Sequence, residues 1–362
     1  MIPPDPGSAD PTRSPQAADI PDAAESDDGV TPTDPPTPPP PARPGAGTFT
    51  IEGRSAPGLF VVGWLGTLVG LVAVAVALLA GGSPAAAILL LVGLVVLSIG
   101  LVALAGAQGI ERRVRGGRPY AGPSPVLVFA ASVPVSLVAV FLVGIPLTVT
   151  GVPVDGPIGR LASVAVQALV YIGLIKLLVV DTGALSWAQM GIKRFDGRAL
   201  AELATGALWA APVILATVVV AGVLIQLIPV TPVSPLPPTG QAVGLAIHLA
   251  AGVVIAPIGE EVLFRGFATT AWSRSLGPRR GLVLAALFFA LVHVLTIGGS
   301  TAGEALGQAV VGFGSRIPVA LALGWLFLRR GTIWAPLGLH AAFNAVLLVI
   351  SEIAAGSGVV PA

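Results

Sequence analysis

GLFVVGWLGTLVGLVAVAVALLA (residues 58–80) and, four residues later, AAAILLLVGLVVLSIGLVALAGAQ (residues 85–108) contain no charged side chain. Each reaches the roughly 20 apolar residues that a helix needs to cross the hydrocarbon of a bilayer. Continuing outward, apolar segments run over 125–149, 158–180, 200–228, 241–258, 281–297, 305–328 and 332–350. These nine candidates predict an all-α polytopic transmembrane bundle of about eight to nine helices. The weakest of them as a span, 158–180, carries Lys176, close enough to one end to reach headgroup level.

Composition agrees. Of the 362 residues, 54% are hydrophobic and 10% charged, against roughly a quarter charged in an ordinary soluble domain. No cysteine is present, which excludes disulfides, thiolate catalysis and cysteine-ligated zinc. Residues 1–46 hold eight acids, two bases and 14 prolines, a charge of −6, while the remainder carries 17 bases and 10 acids, or +7. The first 57 residues therefore read as an acidic, proline-rich disordered tail that cannot bury enough surface to order itself. A nucleic-acid partner is not expected, because no basic, aromatic-interleaved patch exists.

The positive charges set a topology. Arg112, Arg113, Arg115 and Arg118, then Lys193, Arg194 and Arg198, then Arg274, Arg279 and Arg280, then Arg329 and Arg330 all fall on one side of the nine-helix reading. The alternate linkers at 81–84, 229–240 and 298–304 hold a single charge, Glu304. By the positive-inside rule the amino terminus is expected in the cytoplasm and the carboxyl terminus outside a cell membrane. The insert Asp181–Arg198 reads as an interfacial amphipathic segment with Trp187 at headgroup level.

Ionisable groups inside apolar spans cost about 2.5–3.5 kcal/mol each on insertion scales, so each calls for a partner or a task. Three clusters occur in the last third: Gly259-Glu260-Glu261-Val262-Leu263-Phe264-Arg265, Phe289-Ala290-Leu291-Val292-His293, and His340-Ala341-Ala342-Phe343-Asn344. On a helix, Glu261 and Arg265 share a face at i and i+4 in the favourable acid-first order, while Glu260 points about 100° away. At 1.5 Å per residue His293 lies about 20 Å from Arg280, His340 and Asn344 about 15 and 21 Å from Arg330, and Glu260 up to about 22 Å from Ser275. All four can share one membrane layer. His248, with nothing polar on its turn, reads as a core residue.

Glu-Glu-x-x-x-Arg, Phe-x-x-x-His and His-x-x-x-Asn, in this order on successive apolar segments, resemble the motif set of the CPBP family, the CAAX-protease and bacteriocin-processing (Abi-like) intramembrane endopeptidases. Trp187-x-x-x-Gly191-Ile192-Lys193 is similar to the lead-in of that family's core. The resemblance covers about residues 185–350, which makes 58–180 accessory helices, 181–350 the protease core and 351–362 a tail. It implies that Glu260, assisted by His293, activates a water that attacks a peptide carbonyl. It further implies that His340 and Asn344 stabilise the oxyanion, with Glu261, Arg265 and Phe289 as support and a peptide or membrane protein as substrate.

Members of this family are often labelled metalloproteases. Zinc, if present, would take Glu260, His293 and His340, but the chain has no His-Glu-x-x-His and no cysteine, so no cofactor is expected. A transporter also buries Glu and His, yet no second set of motifs falls between residues 58 and 240. A non-catalytic scaffold or immunity protein would have no need of the complete motif set.

Overall fold

The computed structural model describes residues 50–230, 236–295 and 297–357. Of the tail expected over the first 57 residues, residues 1–49 lie outside this range. The described residues form nine helices and no strand: α1 (Pro57–Leu79), α2 (Pro84–Arg115), α3 (Pro125–Val149), α4 (Pro157–Val180), α5 (Gly197–Leu227), α6 (Ala242–Leu276), α7 (Pro278–Val292), α8 (Ala302–Arg330) and α9 (Trp334–Gly356). All except α7 are long and apolar enough to cross a membrane, so the protein is a multi-pass, all-α membrane protein.

Helix boundaries follow local chemistry. α1, α2, α3, α4 and α7 each begin with proline in their first turn, where the missing N–H would have no helical partner anyway. Ser83, Asp196 and Thr301 accept backbone N–H groups at the starts of α2, α5 and α8. Gly277, at φ 86°, reverses the chain between α6 and α7 with one residue, a conformation that disfavours any side chain.

Small residues let the helix backbones approach closely. On α1, Gly66 and Gly70 form a Gly-x-x-x-Gly pair, and a Cβ at Gly70 would stand 2.5 Å from the Leu97 nitrogen on α2. Between α5 and α9 the same device is tighter: a Cβ at Gly206 would overlap the Ala335 carbonyl, and one at Gly338 the Leu203 carbonyl. Large apolar side chains such as Leu65, Leu68, Leu79, Leu208 and Leu215 are exposed, as expected where lipid rather than water is the solvent.

Three departures from the sequence reading bear on the site. First, the segment expected to end at 258 continues as α6 to Leu276, with two π-helical stretches, Ala250–Ile255 and Glu261–Thr269. Pro257 lacks an N–H and crowds the carbonyl four residues back, and the first wide turn ends just before it. π-turns in helices recur at functional sites. Second, the segment expected as helix to 297 stops at Val292, because His293 Nδ1 takes the Phe289 carbonyl at 2.7 Å and tighter turns follow through Val294. Third, the insert expected as an interfacial amphipathic segment is a series of turns over 181–196, and it sends Leu185 and Met190 wholly into the core. Lys176 ends in an exposed ion pair with Asp181 at 2.7 Å.

α6 and α9 run antiparallel, tied at three levels. Thr239 N–H donates to Glu352 Oε2 at 2.9 Å, Asn344 Nδ2 to the Gly252 carbonyl at 2.8 Å, and His340 Nδ1 to Glu261 Oε1 at 2.8 Å. This register brings residues about 80 to 110 positions apart onto one seam. α7 lies across it.

Candidate active site

Glu260 closes a short α-helical stretch of α6, and Glu261 opens the π-helical stretch that follows. Gly259 presses α6 against α4: a Cβ there would be 2.8 Å from the Ala168 Cα and 3.7 Å from the Tyr171 ring. This fixes the height and rotation at which Glu260 leaves the helix.

Glu260 Oε2 faces two imidazoles, His293 Nε2 at 3.5 Å and His340 Nε2 at 3.7 Å. Both separations exceed a direct hydrogen bond, and Oε2 is buried with no hydrogen-bond partner of its own. The other ring nitrogens settle the proton positions. His293 Nδ1 faces the Phe289 carbonyl, which can only accept, so that nitrogen carries the proton. His340 Nδ1 faces Glu261 Oε1 and carries a proton for the same reason. In the neutral rings both Nε2 atoms are therefore lone-pair acceptors. Three acceptors converge on one point, and only a proton-bearing group between them, or a cation, can satisfy all three.

The support beneath this cluster is sealed. Glu261 and Arg265 are 0% and 2% exposed and pair at 3.0 Å, which makes real the face-sharing expected from their spacing. The Phe289 ring lies beneath Arg265 at 4.2 Å, beside His293 at 4.3 Å and edge-on to His340 at 6.0 Å. Glu260 and His293, by contrast, keep side-chain exposures of 21% and 26%. The two residues that could meet a substrate are thus the open ones, and those that hold them are closed.

The structure thus brings Glu260, His293, His340, Glu261, Arg265 and Phe289 together. Asn344 lies one turn beyond His340, its amide engaged with the Gly252 carbonyl. His248 is buried in the first half of α6. An apolar cleft of about 550 Å³ between the end of α3 and the start of α4 contains none of these residues.

Two features escaped the sequence reading. The contact of Glu261 with His340 joins residues 79 positions apart, and no local pattern encodes it. Arg316, near the middle of α8, could have been found: a guanidinium amid an apolar run is as costly there as Glu260 is in α6.

Zinc is the ion that such a donor set suggests. Two imidazoles and a carboxylate suit the ion chemically, but the described residues contain no group of three or more His, Cys, Asp or Glu placed to hold a metal ion.

No curated protein and no solved structure matches the chain. Residues 242–346, from the start of α6 into α9, match the family model of Rce1-like type II CAAX prenyl endopeptidases. The stretch that carries Glu260, His293, His340 and Asn344 is therefore the part of this multi-pass membrane protein that is similar to the Rce1-like CAAX prenyl endopeptidases.

Proposed function

We propose that this protein is an intramembrane endopeptidase that hydrolyses a peptide bond of a membrane-associated substrate. The observation that carries the reading is the partly open carboxylate of Glu260, held 3.5 and 3.7 Å from the Nε2 atoms of His293 and His340. Such separations suit groups that act on a water between them. A water there donates its protons to Glu260 and His293, leaving its oxygen lone pair for the substrate carbonyl. Glu260 takes one proton as the O–C bond forms and returns it to the departing amine nitrogen as the C–N bond breaks. The products are an acid and an amine, and Glu260 ends as it began.

The oxyanion falls to His340 and Asn344. His340 already gives its Nδ1 proton to Glu261, so donation from Nε2 requires the imidazolium form. Asn344 offers the second N–H of its amide, because its nitrogen has two and Gly252 takes one. Glu261, Arg265 and Phe289 hold the rings in place.

The reading includes no metal, and the test addresses that together with the activity. Purified protein in lipid vesicles should cleave membrane-associated peptides, and Glu260→Ala should not. Exhaustive chelation should leave the rate unchanged. Metal at one equivalent per chain, lost and regained together with activity, would defeat the metal-free chemistry and leave the protease standing. Absence of cleavage across a broad peptide set would sink the whole reading.

We also propose that the arginine-rich linkers face the cytoplasm, which the charge alternation supports. Because the chain lacks cysteine, single-cysteine variants have no background. Cysteine at position 298 should react with a membrane-impermeant reagent only from the outside of intact cells, and cysteine at position 118 only after permeabilisation. The opposite pattern inverts the orientation.

A further inference from the structure

Arg316 is the charged group of the α8 interior that the chemistry above leaves unused. It stands 14 residues from either end of the 29-residue helix Ala302–Arg330, at the depth where an arginine costs most. Among the described residues its one hydrogen bond is Nη1 to the Gly312 carbonyl at 2.8 Å, within its own helix. Among the described residues no carboxylate lies within ion-pair distance of it. Arg265, the sealed arginine of the spans, has Glu261 at 3.0 Å. A guanidinium has five N–H donors in a planar fork, so four remain to be directed at something else.

The position of the fork is defined by its neighbours. A Cβ added at Gly312 would lie 3.1 Å from Arg316 Nη1 and 3.2 Å from both Val294 and Ile297. The absence of a side chain at Gly312 is what lets the guanidinium lie flat between α8 and the turn that follows His293. Arg316 is half-buried rather than sealed, and it lies within electrostatic range of Glu260. A permanent cation is thus placed beside the turn that follows His293, with donors to spare among the described residues.

We infer that Arg316 binds a carboxylate of the substrate peptide and so sets which bond lies over Glu260. The inference rests on the protease reading. Planar bidentate recognition of a carboxylate is what the guanidinium fork does best, and beside a bilayer such a group could be a terminal carboxylate or an acidic side chain. A peptide bound through Arg316 would have its chain running past His293, with the scissile carbonyl over the carboxylate of Glu260. Arg316 would then be a positioning and specificity residue, with no part in the proton transfers.

The test compares sets of otherwise identical peptides with the full chain in lipid vesicles: terminal acid against terminal amide, and internal Glu against internal Gln. The wild-type chain should prefer one acid form by about tenfold or more in kcat/KM, chiefly through KM. The pair showing the preference identifies the source of the carboxylate. Arg316→Gln should reduce the preferred acid peptide by about tenfold more than its neutral counterpart, and Arg316→Lys should recover part of the loss. The wild-type comparison needs no variant, so a misfolded Arg316→Gln leaves the inference testable. Equal rates for every acid and neutral pair overturn it, as does an Arg316→Gln variant that lowers kcat alike for all peptides. A wild-type chain inert towards every peptide overturns the protease reading and, with it, this one.

Discussion

Glu260→Gln should lower turnover by about 10²–10⁴-fold, the usual contribution of a positioned general base, while the protein melts within a few degrees of the wild type. The substitution keeps the shape of the side chain and removes only its capacity to take a proton. Little of the fold depends on the lost charge, because Glu260 Oε2 has no hydrogen-bond partner among the described residues and faces His293 and His340 only at 3.5 and 3.7 Å. The amide introduces N–H donors where three acceptors converge, so the variant should if anything be better satisfied at rest. Turnover of a membrane peptide and thermal unfolding in the same lipid are the two measurements. A variant that keeps turnover within about tenfold of the wild type would move the base elsewhere. The same loss accompanied by a large drop in melting temperature would make Glu260 a structural residue.

The sequence showed the membrane helices well and their joints poorly. Apolar run length is set by bilayer thickness, and this is why the start of α1 at Pro57 and of α2 at Pro84 fall within a residue of expectation. The same rule says nothing of how a helix behaves at the far end of its apolar run. α6 therefore continues to Leu276, because Glu261 and Arg265, polar enough to end a hydropathic segment, neutralise each other inside the core. α7 stops short for the opposite reason: His293 lies in a run apolar enough to continue, but its side chain captures the Phe289 carbonyl.

The site was legible as a set of residue types and largely illegible as a geometry. Spacing gave the shared face of Glu261 and Arg265, which is an i, i+4 property of any helix. Depth counting gave a common layer but not the seam between α6 and α9, since 2.8 Å contacts such as Glu261 to His340 depend on the antiparallel register of two helices far apart in the chain. For that reason the sequence cast Glu261 only as the partner of Arg265, whereas it serves His340 as well. Asn344 shows the reverse: its face was readable, but its bond to the Gly252 carbonyl was not.

The dual role of Glu261 leads to the second large effect. Glu261→Ala should destabilise the protein by about 3–5 kcal/mol, the usual result of removing one partner of a buried ion pair. Glu261 is 0% exposed and Arg265 2%, so no solvent reaches the guanidinium left behind. Its only carboxylate within ion-pair distance among the described residues would be gone, while the cation–π contact to Phe289 at 4.2 Å would remain as partial compensation. The variant should also lose turnover, because His340 would no longer have an acceptor to hold its ring. Stability and orientation can be separated by a double change, Glu261→Leu with Arg265→Met, which replaces the pair by apolar groups and leaves no buried charge. Such replacements are often neutral or stabilising, so the melting temperature should recover most of the loss. Turnover should not, since the acceptor for His340 Nδ1 is still missing. Recovery of both together would reduce Glu261 to a clasp for Arg265, and a single Glu261→Ala variant that melts with the wild type would show that the pair contributes nothing to the fold.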